Sequence, residues 1–231
     1  MKRTILAVGL ILCASVLFGQ QTNAANNLGR DTAQQRLVEI SVSRFEDPGF
    51  WRVYMPIDSG VITHRRLPGA PADKQPIPEE EELGIVEADD FVLGVKAEFF
   101  RRNNTHIVVA PVRPLNVPGI VKTLSVWVVG RNLNHRVSVM IRDHFGNTAV
   151  LQMGRLNFSG WRQMTTAIPP TIVQRDPHFL NRSGIQVVGF LIEPALMETY
   201  GSFYVYFDDL RGVTDLFAEE SRDPDDMVDS W

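Results

Sequence analysis

Apolar and polar residues alternate along the stretch between residues 121 and 170, and turn-forming residues interrupt the alternation at short intervals. The extended runs are Val121–Val129, Val137–Ile141, Ala149–Met153 and a last one from Gly160-Trp161 to Pro169-Pro170. The sequence DHFGN (143–147) joins the second and third runs, and it suits a hairpin because Gly and Asn accept the positive φ of tight turns. Strands and turns at this rhythm predict an antiparallel sandwich or jelly roll.

The same alternation continues on both sides of this stretch. Further strands are predicted over Val38–Val42, Phe50–Tyr54, Phe91–Phe99, His106–Ala110, Ile185–Glu193 and Phe203–Asp208. Val121–Val129 is apolar on both faces, which indicates a central strand covered on both sides and places Trp127 in the core. Trp161 is likewise expected to be mostly buried against the opposing sheet. The aromatic residues around Trp51 suit core packing, with a ligand platform as the alternative. The pattern predicts one all-β domain over residues 37–213.

Residues 66–82 (RLPGAPADKQPIPEEEE) interrupt the strand pattern with four prolines and four consecutive glutamates. Proline lacks the amide hydrogen that a sheet requires, so we expect a long surface loop here. Two interpretations remain open, a loop that docks on a neighbouring subunit and a solvated insertion.

Both ends of the chain differ from its middle. Residues 1–24 have the form of a cleaved signal peptide, because Lys2-Arg3 precede the apolar run Ile5–Phe18 and small residues end at Ala24. A polar arm is expected over residues 25–36. Residues 214–231 are expected to form a short helix and then an acidic tail that ends in a tryptophan.

Charge and cysteine content narrow the range of functions. Cys13, the single cysteine, lies within the signal sequence, so the mature chain has no thiol for disulfide or thiolate chemistry. Removal of residues 1–24 leaves 21 basic and 27 acidic residues. Nucleic acid is not expected as a partner of so acidic a chain. Beyond the signal peptide no segment is long and apolar enough for membrane insertion.

The sequence contains no recognisable catalytic or metal-binding motif. The five histidines lack metal-ligand spacing, and P-loop, GxGxxG, GxSxG and HExxH patterns are absent. Two acidic pairs occur, Asp89-Asp90 and Asp208-Asp209, but adjacent residues of a strand point to opposite faces, which does not suit a glycosidase pair. Carboxylates at the second pair also suit a structural Ca²⁺, although the ligand set there is incomplete. We therefore predict no enzymatic activity and no cofactor.

Several phrases of the chain, in order, resemble the spirochaete flagellar filament outer-layer (sheath) protein family. They are LGVKAEFFRRN (93–103), PLNVPGIVKTLSVWVVGRNLNH (114–135), IRDHFGN (141–147), GRLNFSGWRQM (154–164), AIPPTIVQ (167–174) and YVYFDDLRGVTDLF (204–217). A more general resemblance is to jelly-roll, galactose-binding-like carbohydrate-binding modules. It lies in Phe45-Glu46-Asp47, Asp143–Gly146, Gly160-Trp161 and Tyr206–Asp208.

The first resemblance implies a structural protein of the periplasmic flagellum. Such a protein would be exported to the periplasm and would coat the flagellin core filament beside other sheath subunits, thereby affecting filament shape, stiffness and motility. The second resemblance implies the alternative, a periplasmic or surface carbohydrate-binding protein. Burial of Trp51, Trp127 and Trp161 together would count against the alternative, because a sugar site needs exposed aromatic side chains.

Loops and termini on a rigid scaffold are the parts best placed to contact a partner. The candidate contact residues are Arg101 and Arg102 in the turn after Phe99, Glu79 and Glu80 in the proline- and glutamate-rich segment, and Asp225, Asp226 and Trp231 near the C-terminus. Charged groups at such positions set the register and the rate of association more than its affinity.

Overall fold

The alternation of apolar and polar residues forms the strands of two antiparallel sheets in the computed structural model, which describes residues 37–85, 88–176 and 179–216. The first strands are β1 (Leu37–Ser43), β2 (Trp51–Tyr54), β3 (Gly60–Pro68), β4 (Phe91–Phe99), β5 (Ile107–Pro111), β6 (Leu115–Val117) and β7 (Ile120–Arg131). The others are β8 (Arg136–Arg142), β9 (Thr148–Arg155), β10 (Ser159–Ala167), β11 (Arg175–Asp176), β12 (Phe179–Ser183), β13 (Ile185–Glu193) and β14 (Gly201–Asp215). A short helix α1 (Pro78–Glu82) lies between β3 and β4, and a 3₁₀ turn (Leu196–Glu198) precedes β14.

Two six-stranded sheets form the sandwich. Sheet I has the order β10-β7-β14-β4-β3, with β1 paired to the second half of β14. Sheet II has the order β2-β5-β13-β8-β9, with β6 paired to the start of β13. Strands β11 and β12 form a separate ribbon. The strand pairs are antiparallel, which confirms the predicted all-β sandwich.

The inner faces of both sheets supply the core. A group of stacked aromatic rings lies at its centre. The Phe45 ring centroid lies 4.5 Å from that of Trp51, and the Phe190 centroid lies 5.1 Å from that of Phe207. Phe45 holds a positive φ of 61° in the turn between β1 and β2, a conformation that is unusual for a bulky residue. Because its side chain is almost fully buried in this stack, aromatic packing offsets the backbone cost. The prediction that Trp51 packs in the core is confirmed.

The predictions for the other two tryptophans need correction. Trp161 pairs with Val129 across β10 and β7, and both are only partly buried on the outer face of sheet I. Met164 of the same strand is the residue that enters the core, opposite Val126. Trp127 shares the outer face with Trp161, so β7 is covered on one side and only partly shielded on the other.

The proline- and glutamate-rich segment also differs from the prediction. Residues 66–68 extend β3, which pairs with β4 over its whole length, and residues 78–82 form α1. Residues 69–85 and 88–90, which we call the strap, are held to sheet I where Lys74 contacts Asp208, and Ile77 within the strap is buried. At the other end, β14 continues to Asp215, seven residues past the predicted end of this strand at Asp208, so residues 214 and 215 lie in a strand and not in the predicted helix. The expected signal peptide, the polar arm and the rest of the predicted C-terminal helix and tail lie outside the described residues.

Candidate functional site

Three loops emerge at one end of the sandwich because their strands are paired in register there. Gly60 of β3 and Gly201 of β14 both pair with Phe99 at the end of β4, so loops 55–59, 100–106 and 194–200 are neighbours. A Cβ at Gly60 would lie 2.2 Å from the carbonyl oxygen of Glu98, so this close approach of two backbones requires glycine. Phe100 N–H also donates a hydrogen bond to the Ser59 carbonyl (3.0 Å).

These loops expose large apolar side chains. We call the group the loop-end patch, and its members are Ile57 (90% exposed), Phe100 (63%), Leu196, Met197 (67%) and Tyr200. Single exposed apolar residues are ordinary, but several on adjacent loops indicate a surface that another molecule covers.

The predicted contact residues Arg101 and Arg102 stand beside this patch. The Nη2 atom of Arg101 donates a hydrogen bond to Asp58 Oδ2 (2.6 Å), and both side chains are largely exposed. The Arg102 guanidinium carbon lies 5.3 Å from the centroid of the Tyr200 ring. The structure thus places two of the predicted contact residues beside the patch. The sequence patterns did not single out the apolar residues, although Phe100 and Met197 are large apolar residues in turns.

A buried histidine holds loop 194–200, which displays three of the five patch residues. Ala195 N–H donates a hydrogen bond to His135 Nδ1 (3.2 Å), and Glu198 accepts one from Asn134 N–H (2.6 Å). His135 is fully buried, with its ring centroid 4.6 Å from that of Phe203. Burial lowers the pKa of His135, and the nearby Glu198 carboxylate opposes that effect only in part. The imidazole is therefore neutral near pH 7 and accepts the Ala195 hydrogen bond.

The strap carries a second group of charged residues, away from the loop-end patch. Lys74 Nζ lies 2.5 Å from Asp89 Oδ1, 3.0 Å from Asp208 Oδ2 and 3.8 Å from Asp209 Oδ2. Burial raises the pKa of Asp208 to about 6, while Lys74 acts in the opposite direction. Burial also raises the pKa of Asp209. This ammonium group thus compensates carboxylates that the fold removes from water.

Adjacent aspartates can face one lysine because β14 is irregular at this point. Its pairing with β7 shifts register between Asp208 and Arg211, and Asp209 has a positive φ of 51°. Such a bulge breaks the rule that consecutive residues of a strand face opposite sides. Arg211 Nε donates to Asp209 Oδ2 (2.6 Å), and its Nη2 donates to the strap carbonyl of Gln75 (2.6 Å). The cluster is therefore a structural tie between strap and sheet.

The remaining predicted contact residues are not gathered at one place. Glu79 lies in α1, and the neighbouring Glu80 carboxylate is bound by the Arg44 guanidinium within the chain. Asp225, Asp226 and Trp231 lie outside the described residues. Over residues 37–85, 88–176 and 179–216, no group of three or more His, Cys, Asp or Glu side chains is placed to hold a metal ion. The helices of the same residues include none that could cross a bilayer.

The strands define an antiparallel β-sandwich that displays an apolar patch at its loop end. Among solved structures, the carbohydrate-binding module TmCBM61, crystallised with β-1,4-galactotriose, is similar in fold: 12% identity, a TM-score of 0.39, and coverage of 74% of this chain and 97% of that one. The particular family is identified by sequence. The chain belongs to the family of the flagellar filament outer layer protein FlaA, whose model matches residues 18–222.

Two relatives within this family are similar over different lengths. A flagellar filament outer layer-like protein of Brachyspira hyodysenteriae is 35% identical over 215 residues, which cover 92% of this chain and 96% of that protein. The flagellar filament outer layer protein of Spirochaeta aurantia is 35% identical over 46 residues, or 20% of this chain and 14% of that protein. The resemblance read from the sequence phrases is thereby confirmed.

Proposed function

We propose that this chain is a non-enzymatic sheath subunit that coats the flagellin core of a periplasmic flagellum. Family membership supports a structural role at the flagellar filament. The observation that carries the proposal further is the loop-end patch, because it offers large apolar side chains to a partner at one end of a rigid sandwich.

The composition of the patch suits contact with protein. Aromatic residues, methionine and arginine are enriched at the centres of protein interfaces, and the loop end presents Phe100, Tyr200, Met197 and Arg102 together. The apolar side chains would supply the binding energy through burial. Arg101 and Arg102 at the rim would set orientation, as rim charges generally do.

Placement in the periplasm is part of the same proposal. It rests on the sequence of residues 1–24, which has the basic, apolar and small-residue regions of a signal peptide. N-terminal sequencing of the mature protein is expected to start near Ala25, and a retained Met1 or a lipidated Cys13 would contradict this.

Gene deletion followed by complementation tests the sheath role. Without the gene, core filaments should assemble but be thinner or differently curved, and motility should be impaired. Filaments of normal diameter and curvature in cells that swim normally would contradict the assignment. Mass spectrometry of purified filaments from the wild type should also detect the chain.

A matched pair of variants tests the loop-end patch itself. Phe100→Asp places a charge in the patch, whereas Phe145→Asp places the same charge at a phenylalanine of similar exposure (60%) in the β8–β9 hairpin at the other end of the sandwich. Phe100→Asp should fold normally yet fail to restore filament diameter, and Phe145→Asp should restore it. Equal restoration by both variants would show that docking uses another surface.

A further inference from the structure

The outer face of sheet I carries a second ordered surface beyond the strap. Phe207 pairs with Val128, which places Tyr204 of β14 beside Arg131 of β7. On its other side Tyr204 pairs with Lys96 of β4. Neighbouring strands therefore align a cation, a tyrosine and a second cation across the sheet.

Distances confirm that these side chains meet. The Arg131 guanidinium carbon lies 5.3 Å from the Tyr204 ring centroid and 5.7 Å from that of Tyr206. Lys96 Nζ lies 5.6 Å from the Tyr204 centroid. Cations at such distances are attracted to the ring faces and keep the rings in fixed positions.

Gly94 gives this surface its concave shape. It pairs with both Tyr206 and Arg65, and a Cβ there would lie 3.1 Å from Tyr206 Cε1 and 2.9 Å from Leu67 Cδ1. Because glycine occupies the position, the Tyr206 ring settles against the backbone of β4. The result is a cleft of about 350 Å³ between β3, β4 and β14, whose lining includes Thr63, Arg65 and both tyrosines.

The cleft has an excess of positive charge. Arg65 and Lys96 line it, and Arg131 stands beside its tyrosines on the β7 side. Within the described part of the chain Arg65 and Arg131 form no ion pair, and Lys96 approaches only the largely exposed Glu98, at 4.0 Å. The chain as a whole is acidic, with a formal net charge of −4, so a local group of three cations stands out against it. This group favours an anionic ligand.

We propose that this cleft binds a saccharide that carries a carboxylate group. Partly exposed tyrosine rings offer flat apolar surfaces to a sugar ring, and Thr63 and the tyrosine hydroxyls offer hydrogen-bonding groups, as in small-molecule sites generally. Arg65 and Lys96 line the cleft where the carboxylate would lie, and guanidinium groups match carboxylate geometry. Arg131 contacts the Tyr204 ring from the β7 side. This binding goes beyond the sheath role and does not depend on it.

Two pairs of free oligosaccharides serve as probes. Trigalacturonic acid is compared with its carboxyl-reduced neutral form, and sialyllactose with lactose, by calorimetric and NMR titration against the full mature chain. At least one acidic sugar should bind saturably and at least tenfold more tightly than its neutral partner, and raised salt should weaken it. Absence of saturable binding by either acid, or equal affinity within both pairs, would overturn the proposal.

Variants then locate the site. Tyr204→Ala and Arg65→Ala should each weaken acid binding at least tenfold, while melting temperature and NMR spectra establish that they fold. Tyr200→Ala and Arg102→Ala remove a similar tyrosine–arginine pair from the loop end and should leave binding unchanged. Binding that survives Tyr204→Ala and Arg65→Ala would contradict the assignment. Phe100→Asp should lose filament docking but keep saccharide binding, so failure of one proposal is distinguishable from failure of the other.

Discussion

Lys74 Nζ lies 3.0 Å from Asp208 Oδ2, although 134 residues separate them in the sequence. The lysine comes from the strap, and the aspartate from a bulge in the long strand β14 of sheet I. The Lys74 side chain is largely buried, and the Asp208 side chain is completely buried. This ion pair therefore fixes a proline-rich segment, which has little regular structure of its own, onto the sandwich.

Lys74→Met should destabilise the protein by about 3–5 kcal/mol, because it removes one partner of a buried pair and leaves Asp208 uncompensated. Asp209, by contrast, keeps its contact with Arg211. Lys96→Met is the matched control. Its ion pair with Glu98 is solvent-exposed, and loss of such a pair costs about 0–1 kcal/mol. Urea denaturation of both variants measures the difference, and equal effects would mean that the strap contact contributes little.

The stability of the protein should depend on pH through Asp208. Its pKa is raised to about 6 in the folded state, above the value of about 4 for an exposed aspartate, so the folded chain holds this proton more tightly. The contribution of this group is then most favourable at low pH and falls as pH rises between about 4 and 6. Through this group, the free energy of unfolding should fall by about 1 kcal/mol when the pH is raised from 5 to 7.

Asp208→Asn removes this titration. The variant should lack that part of the pH dependence when the free energy of unfolding is measured at pH 5 and pH 7. Asp47→Asn, in the turn between β1 and β2, changes an exposed carboxylate and serves as the control. An unchanged pH profile in Asp208→Asn would show that the carboxylate does not titrate in this range.

The alternation of apolar and polar residues predicted the sandwich. Successive side chains of a strand point to opposite faces, so apolar residues at every second position mark the buried face. In β4, Leu93, Val95 and Ala97 are all buried, as their alternation predicts. The pattern failed at β10, where Trp161 and Met164 lie an odd number of residues apart and so face opposite sides. When both faces of a strand carry large apolar residues, alternation does not say which one meets the other sheet.

The candidate sites were harder to predict from the sequence than the fold, because they depend on contacts between segments that are distant in the chain. The bulge at Asp208-Asp209 turns two adjacent carboxylates toward one lysine. The sequence around these residues does not predict the bulge. The loop-end patch depends on register, which brings Phe100 and Tyr200 together from separate loops. At the loop end the sequence offered the charged turn Arg101-Arg102 as a candidate, since charges in a turn are recognisable from sequence alone.

The tryptophans provide a direct comparison of the two faces. Trp51→Ala should cost about 3–5 kcal/mol, because it leaves a cavity in the aromatic stack with Phe45 and Phe190. Trp161→Ala should cost less than half as much, because its side chain is already partly in water on the outer face of sheet I. Thermal or urea denaturation measures the loss of stability in each variant. A larger loss in Trp161→Ala than in Trp51→Ala would contradict the assigned faces.

The loop 194–200 should loosen in mild acid. Since burial lowers the pKa of His135 in the folded state, its contribution to stability is complete above pH 6.5 and is lost as pH falls below that value. Protonation would turn Nδ1 into a donor, so it could no longer accept the Ala195 hydrogen bond. Amide hydrogen exchange in this loop, corrected for the intrinsic effect of pH, should therefore be faster at pH 5.5 than at pH 7.

His135→Gln distinguishes titration from simple packing, because the glutamine amide oxygen can accept the same hydrogen bond but does not titrate. The variant should show similar exchange in loop 194–200 at both pH values, whereas the wild type should not. Loop 55–59, which contains no histidine, reports any general acid effect in the same experiment. If wild type and variant responded equally to acid, His135 would not control this loop. Docking through Met197 and Tyr200 would then be independent of its charge.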